Sequence, residues 1–307
     1  MNRQEGPGCS ERVEKSTLEM SLKIANSFPS LYGRGNIKVA RTGSQSSILI
    51  AALNRPSVRN AISDDLYLDL IDVMVDVAND DSLACLILTG IGPYFSSGAD
   101  LKSGSMISED GSERDTLCLP AGKFMMTLIE FPKILAAAVN GPAIGIGVTL
   151  LLHCDLCFCS ESTTIWAPFT RLALVPELCS STTFLETMGL SKSNELLLLG
   201  KKIDANTALQ WNICSRVVKS EVLDPFHTDS LANYMATEVD KSLLQLPLGS
   251  KTAIVFVDLV RRNRKDRLKE ICRKELEQLD TRFNNGDVLA AIMNLKDFKN
   301  NGHRSKL

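Results

Sequence analysis

The chain has 307 residues, 44% hydrophobic and 23% charged, with a formal net charge of -2. These proportions exclude a fibrous or disordered chain and fit one large globular domain with an appendage. Near-neutral charge speaks against a nucleic-acid partner, and no run reaches the roughly 18 apolar residues of a membrane span, so neither nucleic-acid binding nor membrane insertion is expected.

Residues 1–36 mix charge, Gly, Ser and Pro with little periodicity, and read as a loosely ordered lead-in with a short helix around Leu18–Ala25. The opening M-N-R-Q-E-G-P-G has no apolar core, so secretion is not expected. Nine cysteines are scattered through apolar segments, a pattern of reduced thiols packed in a core rather than a disulfide framework.

From Ile37 onward, strand and helix patterns alternate. The apolar run Ile48–Leu53 is broken by Asn54-Arg55-Pro56, Ser63 caps a helix through Val77, and Leu83–Thr89 is a second strand, which makes a βαβ unit. A polar insertion, Ser103–Asp115, precedes a second round in which Leu117–Phe131 is helical and Ile134–Val139 is a short buried strand. A glycine-bearing turn at Gly141–Gly147 then opens an apolar helix to about His153, followed by β-rich pieces at Leu156–Cys159 and Thr164–Ala167. Helices dominate after Val175. Beyond Pro247 the spacing predicts three of them, Leu248–Arg262, Lys265–Asn284 and Val288–Lys299, packing on the core or on another subunit. The reading divides the chain into a lead-in (1–36), an α/β core with the site (37–245) and a helical C-terminal region (246–307).

Two segments carry the candidate chemistry. Phe95-Ser96-Ser97-Gly98-Ala99-Asp100-Leu101 follows a buried strand and sets small residues where a backbone must approach a ligand. Asn140-Gly141-Pro142-Ala143-Ile144-Gly145-Ile146-Gly147 ends another strand and opens a helix, so its amides face outward with the helix dipole behind them. Either turn alone is ordinary strand-loop-helix geometry, and the second is not a dinucleotide fingerprint. In this order, with R-P-S-V-R-N-A after the strand at 48–53 and P-K-I-L-A-A-A-V before the second turn, they resemble the crotonase (enoyl-CoA hydratase/isomerase) superfamily over about Ile37–Val218.

That resemblance implies the ClpP-like crotonase fold, a repeated ββα spiral with a helical C-terminal trimerisation region, assembled as a homotrimer or a dimer of trimers. It implies that the backbone amides of Ala99 and Ile146 form an oxyanion hole for a thioester carbonyl. It also implies that Arg59, Asn60 and Ala61, with Ser97, Gly98, Asp100, Leu101 and Gly145, line the site for a fatty acyl-CoA, Arg59 being suited to a CoA phosphate. Coenzyme A belongs to the substrate, so no separate cofactor and no metal are expected. Family hydratases carry glutamates at two positions held here by Thr149 and Phe169, neither of which is a base near neutral pH. Glu177 instead stands in Leu174-Val175-Pro176-Glu177-Leu178-Cys179-Ser180-Ser181, similar to the P-E-x-x-S-S of peroxisomal Δ3,Δ2-enoyl-CoA isomerases.

The resemblance therefore implies a 1,3 proton shift with Glu177 as acid and base, walled by Trp166, Phe169, Leu174 and Leu178. Read by position alone, Glu177 is equally a first-turn acid for a helix starting near Cys179. The competing readings are a dienoyl-CoA isomerase, which would add acids at the two hydratase positions, and a non-catalytic crotonase-fold acyl-CoA-binding protein. Asp155 reads as structural, and His153 with Cys154, Cys157 and Cys159 lacks the second ligand pair of a zinc site. Residues 1–36 are too short for an acyl-CoA-binding module. Ser305-Lys306-Leu307 spells the S-K-L address of the peroxisomal import receptor, which predicts the peroxisome matrix or a glycosome.

Overall fold

The computed structural model describes residues 35–44, 46–103, 115–223, 230–246 and 249–300. The first half of the chain runs β1 (Ile37–Thr42), β2 (Ile48–Leu53), α1 (Asp64–Asn79), β3 (Cys85–Gly90), α2 (Pro120–Glu130), β4 (Ile134–Val139), β5 (Ala143–Ile144) and α3 (Ile146–Thr149). The second half runs β6 (Leu156–Ser160), β7 (Thr164–Trp166), α4 (Ser180–Met188), α5 (Leu190–Leu197), β8 (Ile203–Asp204), α6 (Ala205–Gln210), β9 (Arg216–Val218), α7 (Ser230–Leu244), α8 (Ser250–Asn284) and α9 (Asp287–Asn300). One sheet has the order β1-β2-β3-β4-β6-β9, parallel except for the β1–β2 pair, and β5, β7 and β8 form a smaller sheet.

Strands β2, β3 and β4 are apolar at nearly every position because both faces of the sheet are covered. Alternate residues go to opposite sides: Leu49, Leu86 and Leu135 join the cluster that holds α1 and α2, whereas Ile50, Ile87 and Ala136 join the one beneath α7. Helix α1 begins where the sequence places it, with the Ser63 hydroxyl accepting from the Leu66 amide. Helix α2 starts later than predicted, at Pro120, because a tight turn at Thr116–Cys118 precedes it and Pro is favoured at the first helical position. The helix suggested near Leu18, most of the 103–115 insertion and the S-K-L tripeptide lie outside the described residues.

The C-terminal region departs from the sequence reading. The two helices expected at 248–262 and 265–284 are one helix of 35 residues, α8. No Gly or Pro interrupts Ser250–Asn284, and an interior Asn at position 263 is tolerated at a cost of only about 0.6 kcal/mol. Core contacts compensate: Leu268, Cys272, Leu276 and Leu279 are buried in the main cluster. Arg261 anchors the helix, bridging to the Asp155 carboxylate and donating to the carbonyls of Phe131 (3.0 Å) and Lys133 (3.1 Å). Asp155 also accepts from the Leu135 amide at 2.9 Å, which ties β4 to the same pair.

Asp155→Ala is expected to lower the unfolding free energy by about 3 kcal/mol, since it strands a largely buried guanidinium. The double variant Asp155→Ala/Arg261→Met should lose less than the sum of the two single changes, as read from denaturant midpoints.

Candidate active site

The two glycine turns lie against each other. The Ser96 carbonyl accepts from the Ile144 amide at 2.9 Å, and the Phe95 and Ser96 amides both point at the Pro142 carbonyl. Gly98 is required at the seam: its φ is +88°, and a Cβ there would stand 2.8 Å from the Ile144 carbonyl oxygen. Gly98 O accepts from Ile62 N and Asp100 N donates to Ile62 O, so the intervening Ala99 amide is turned to the opposite side, toward the cavity. Ile146 is the first residue of α3, where an amide has no intrahelical acceptor. Among the described residues neither amide donates to a backbone carbonyl.

A cavity of about 140 Å³ opens beside this seam, and Ser97, Gly98, Ala99, Asp100, Leu101, Gly145, Ile146 and Glu177 all line it. Its remaining walls are mostly apolar and come from distant elements, among them Tyr67 of α1, Met125 of α2, and Leu279 and Phe283 of α8. Of the expected wall residues, Phe169 and Leu174 take part. Trp166 and Leu178 do not: the Trp166 indole donates to the Gly200 carbonyl at 2.9 Å, and Leu178 is packed in the core.

The three residues of the R-N-A motif stand outside the cavity walls. Arg59 is exposed, stacks over the Tyr94 ring at 5.3 Å and offers its carbonyl to the Ser97 amide. Asn60 is fully buried, and its side chain is used within the loop, accepting from Arg55 N and donating to the carbonyls of Ile91 and Tyr94. Ala61 gives its carbonyl to Arg55. Arg55 also pairs with Asp100 at 3.0 Å, so the second carboxylate on the cavity wall is already neutralised.

Glu177 is buried, with only 7% of its surface exposed. Its Oε1 accepts from the Thr149 hydroxyl at 2.7 Å, and its Oε2 has no hydrogen-bond partner among the described residues. Burial pushes the Glu177 carboxyl up to about 8; the Thr149 hydrogen bond opposes that shift and the nearby Glu275 carboxylate adds to it. The two residues that follow, Leu178 and Cys179, both adopt left-handed φ values, of 51° and 62°. Such strain persists only where neighbours over-determine it. Here Glu275 of α8 accepts from the Cys179 amide (2.6 Å) and the Ser181 amide (2.9 Å), capping α4 from another helix. His153 Nε2 lies 2.9 Å from the Leu178 carbonyl, which can only accept, so Nε2 carries the hydrogen; burial holds this imidazole down to about 4, in its neutral form.

Sequence reasoning set Thr149 aside as a missing acid, whereas the structure puts it in contact with Glu177. No sequence signal links two residues that belong to different elements. Leu276, Leu279 and Phe283 of α8 share a helical face that periodicity shows as buried, without indicating which cavity it closes.

The crossover-connected sheet with two abutting glycine turns is that of the crotonase fold. The chain belongs to the enoyl-CoA hydratase/isomerase family, whose model matches residues 43–247. It is 34% identical over 253 residues to enoyl-CoA delta isomerase 2 of Rattus norvegicus, covering 81% of this chain and 61% of that protein. It thus spans about three fifths of the rat relative. It is 32% identical over 284 residues to enoyl-CoA delta isomerase 3, peroxisomal, of Mus musculus, covering 88% of this chain and 85% of the relative. A crystal structure described as a putative enoyl-CoA hydratase/isomerase from Acinetobacter baumannii superposes with a TM-score of 0.74 at 26% identity, over 85% of this chain and 98% of that one.

Because the folded protein holds Glu177 protonated to a higher pH than the unfolded chain does, folding takes up a proton between about 4.5 and about 8. Stability is therefore lost as pH rises through that window. Glu177→Gln, which stays neutral, is expected to match the wild type at the acid end and to exceed it above about 8, as read from melting curves across the range.

Proposed function

We propose that this chain is a Δ3,Δ2-enoyl-CoA isomerase, moving the double bond of a 3-enoyl-CoA to give the trans-2-enoyl-CoA, as in the β-oxidation of unsaturated fatty acids. The observation that carries this reading is a buried carboxylate, Glu177, that lines a largely apolar cavity together with Ala99 and Ile146 and whose Oε2 has no hydrogen-bond partner among the described residues. The thioester oxygen accepts from those two amides, and Glu177 removes a proton from C2. The C2–H electrons form C1=C2 as the carbonyl pair moves onto the thioester oxygen; when that pair re-forms C=O, the C1=C2 electrons become C2=C3 and the C3=C4 electrons take the proton from Glu177 at C4. No water is consumed and no group is lost. The intermediate is a dienolate whose charge on oxygen the two amides hold, and removing one such donor costs about 100-fold or more in comparable sites.

Addition of water is disfavoured by the same geometry. Thr149 and Phe169 occupy the positions of the hydratase acids, and Asp100 is ion-paired to Arg55. A base titrating near 8 is well matched to proton transfer at mildly alkaline pH. The likeness to the rat and mouse enoyl-CoA delta isomerases supports the isomerase reading, and the peroxisomal designation of the mouse relative together with Ser305-Lys306-Leu307 supports the peroxisome matrix and import through the receptor that reads S-K-L. The exposed apolar residues Val255, Phe256, Leu259 and Val260 of α8 support packing against further copies of the chain, as a trimer or a dimer of trimers.

Purified protein is expected to convert a 3-enoyl-CoA to the conjugated thioester, followed by its ultraviolet absorbance, with a rate that rises with pH toward about 8 as Glu177 ionises. Glu177→Gln should lose about 10²- to 10⁴-fold in kcat while still binding the CoA ester. A wild-type protein that binds CoA esters and leaves the double bond in place contradicts the proposal.

A further inference from the structure

Thr149 is wholly buried and makes one short contact, donating to Glu177 Oε1 at 2.7 Å; the alternative acceptor, the Ile146 carbonyl, is 3.4 Å away. A hydroxyl has a single hydrogen to give, and distance favours the carboxylate. With Oε1 taken, Oε2 is left without a partner among the described residues, in a group that lines the cavity. Thr149 also lies three residues after Ile146 in the single turn of α3, and residues so spaced share a face of the helix. One turn of chain thus carries both the Ile146 amide, a candidate for the substrate oxygen, and the hydroxyl that touches the carboxylate.

We infer that Thr149 is a positioning residue of the site: its hydroxyl anchors one oxygen of Glu177 so that the other alone carries the proton between two carbons of the substrate. The inference rests on the isomerase reading and extends it. A 1,3 shift needs one oxygen to reach C2 and then C4 without the carboxyl group rotating away. A hydrogen bond to Oε1 serves both halves of the reaction, because Oε1 accepts whether Oε2 is ionised or protonated. In the ionised form the bond also offsets part of the burial cost, as no cation acts on the group among the described residues. The ionisable groups that act on it are Glu275 from α8 and Cys179 on its own segment; Asp100, paired to Arg55, lines the same cavity, and neutral His153 donates to the Leu178 carbonyl.

The test compares wild type with Thr149→Val, which keeps the shape and removes the hydroxyl, and with Thr149→Ser, which keeps the hydroxyl. Thr149→Val is expected to lose about 10- to 100-fold in kcat, in line with the cost of misplacing a reacting group, with KM within about threefold. The acid limb of its pH profile should move to higher pH, because a bond that favoured the ionised form is gone. Thr149→Ser is expected to recover most of the loss and to restore the limb. Wild-type kcat and an unmoved limb in Thr149→Val overturn the inference. An infrared titration of the Glu177 carboxyl band, identified by its absence in Glu177→Gln, reads the same contact without turnover. A raised midpoint in Thr149→Val but not in Thr149→Ser supports the anchoring role, and one midpoint shared by all three proteins overturns it. If the wild type does not isomerise, the isomerase reading falls, and the infrared midpoint still decides whether Thr149 anchors Glu177.

Discussion

A carboxyl group kept out of water resists ionisation, because moving its charge into a low-dielectric interior costs several kcal/mol even after relaxation. Glu177 is placed under that constraint and given one hydrogen bond, from Thr149, to offset it. The balance leaves the group protonated to about 8 rather than ionised near 4.5. A fully solvated carboxylate is too weak a base to take a proton from carbon, and one with no partner at all would stay protonated throughout the useful range. The apolar walls supplied by Met125, Phe169, Leu174 and Leu279 set the degree of dehydration, and with it the usefulness of the group.

Holding such a residue in place falls largely to α8, an element remote in sequence. Arg261 fixes the helix to the Asp155 carboxylate and to two carbonyls beside β4. About four turns further along, Glu275 caps α4 and stabilises the left-handed pair Leu178 and Cys179, the bend directly after Glu177. Its last two turns then provide Leu279 and Phe283 to the cavity. The glycine seam works by close approach instead. Gly98 and Gly145 bring two loops near enough that Ala99 and Ile146 line one cavity, an approach that a side chain on Gly98 would block.

Much of this was legible in the sequence, and for physical reasons. The runs at 48–53, 83–89 and 134–139 are apolar throughout because both faces of their sheet are covered, and Ser63 marks the start of α1 because its hydroxyl meets an orphan amide. Ala99, Ile146 and Glu177, which the motif register singled out, line one cavity. What stayed hidden depends on contacts between elements. Thr149 looked like a lost acid because its contact with Glu177 is made across elements. Trp166 looked like a wall until its indole found the Gly200 carbonyl, and the Asn60 side-chain amide donates within its own group of loops, to Ile91 and Tyr94. The split expected near Asn263 failed because mild propensity yields to an anchored and buried helix face.

The central claim is that one buried carboxylate carries the same proton from C2 to C4. The most direct measurement is to run the reaction on an unlabelled 3-enoyl-CoA in deuterium oxide and to analyse the product by mass spectrometry and NMR. The expected result is a trans-2-enoyl-CoA in which a substantial fraction of molecules still carry only protium at C4. One deuterium at C4 in every product molecule, or a 3-hydroxyacyl-CoA as the product, would contradict the account.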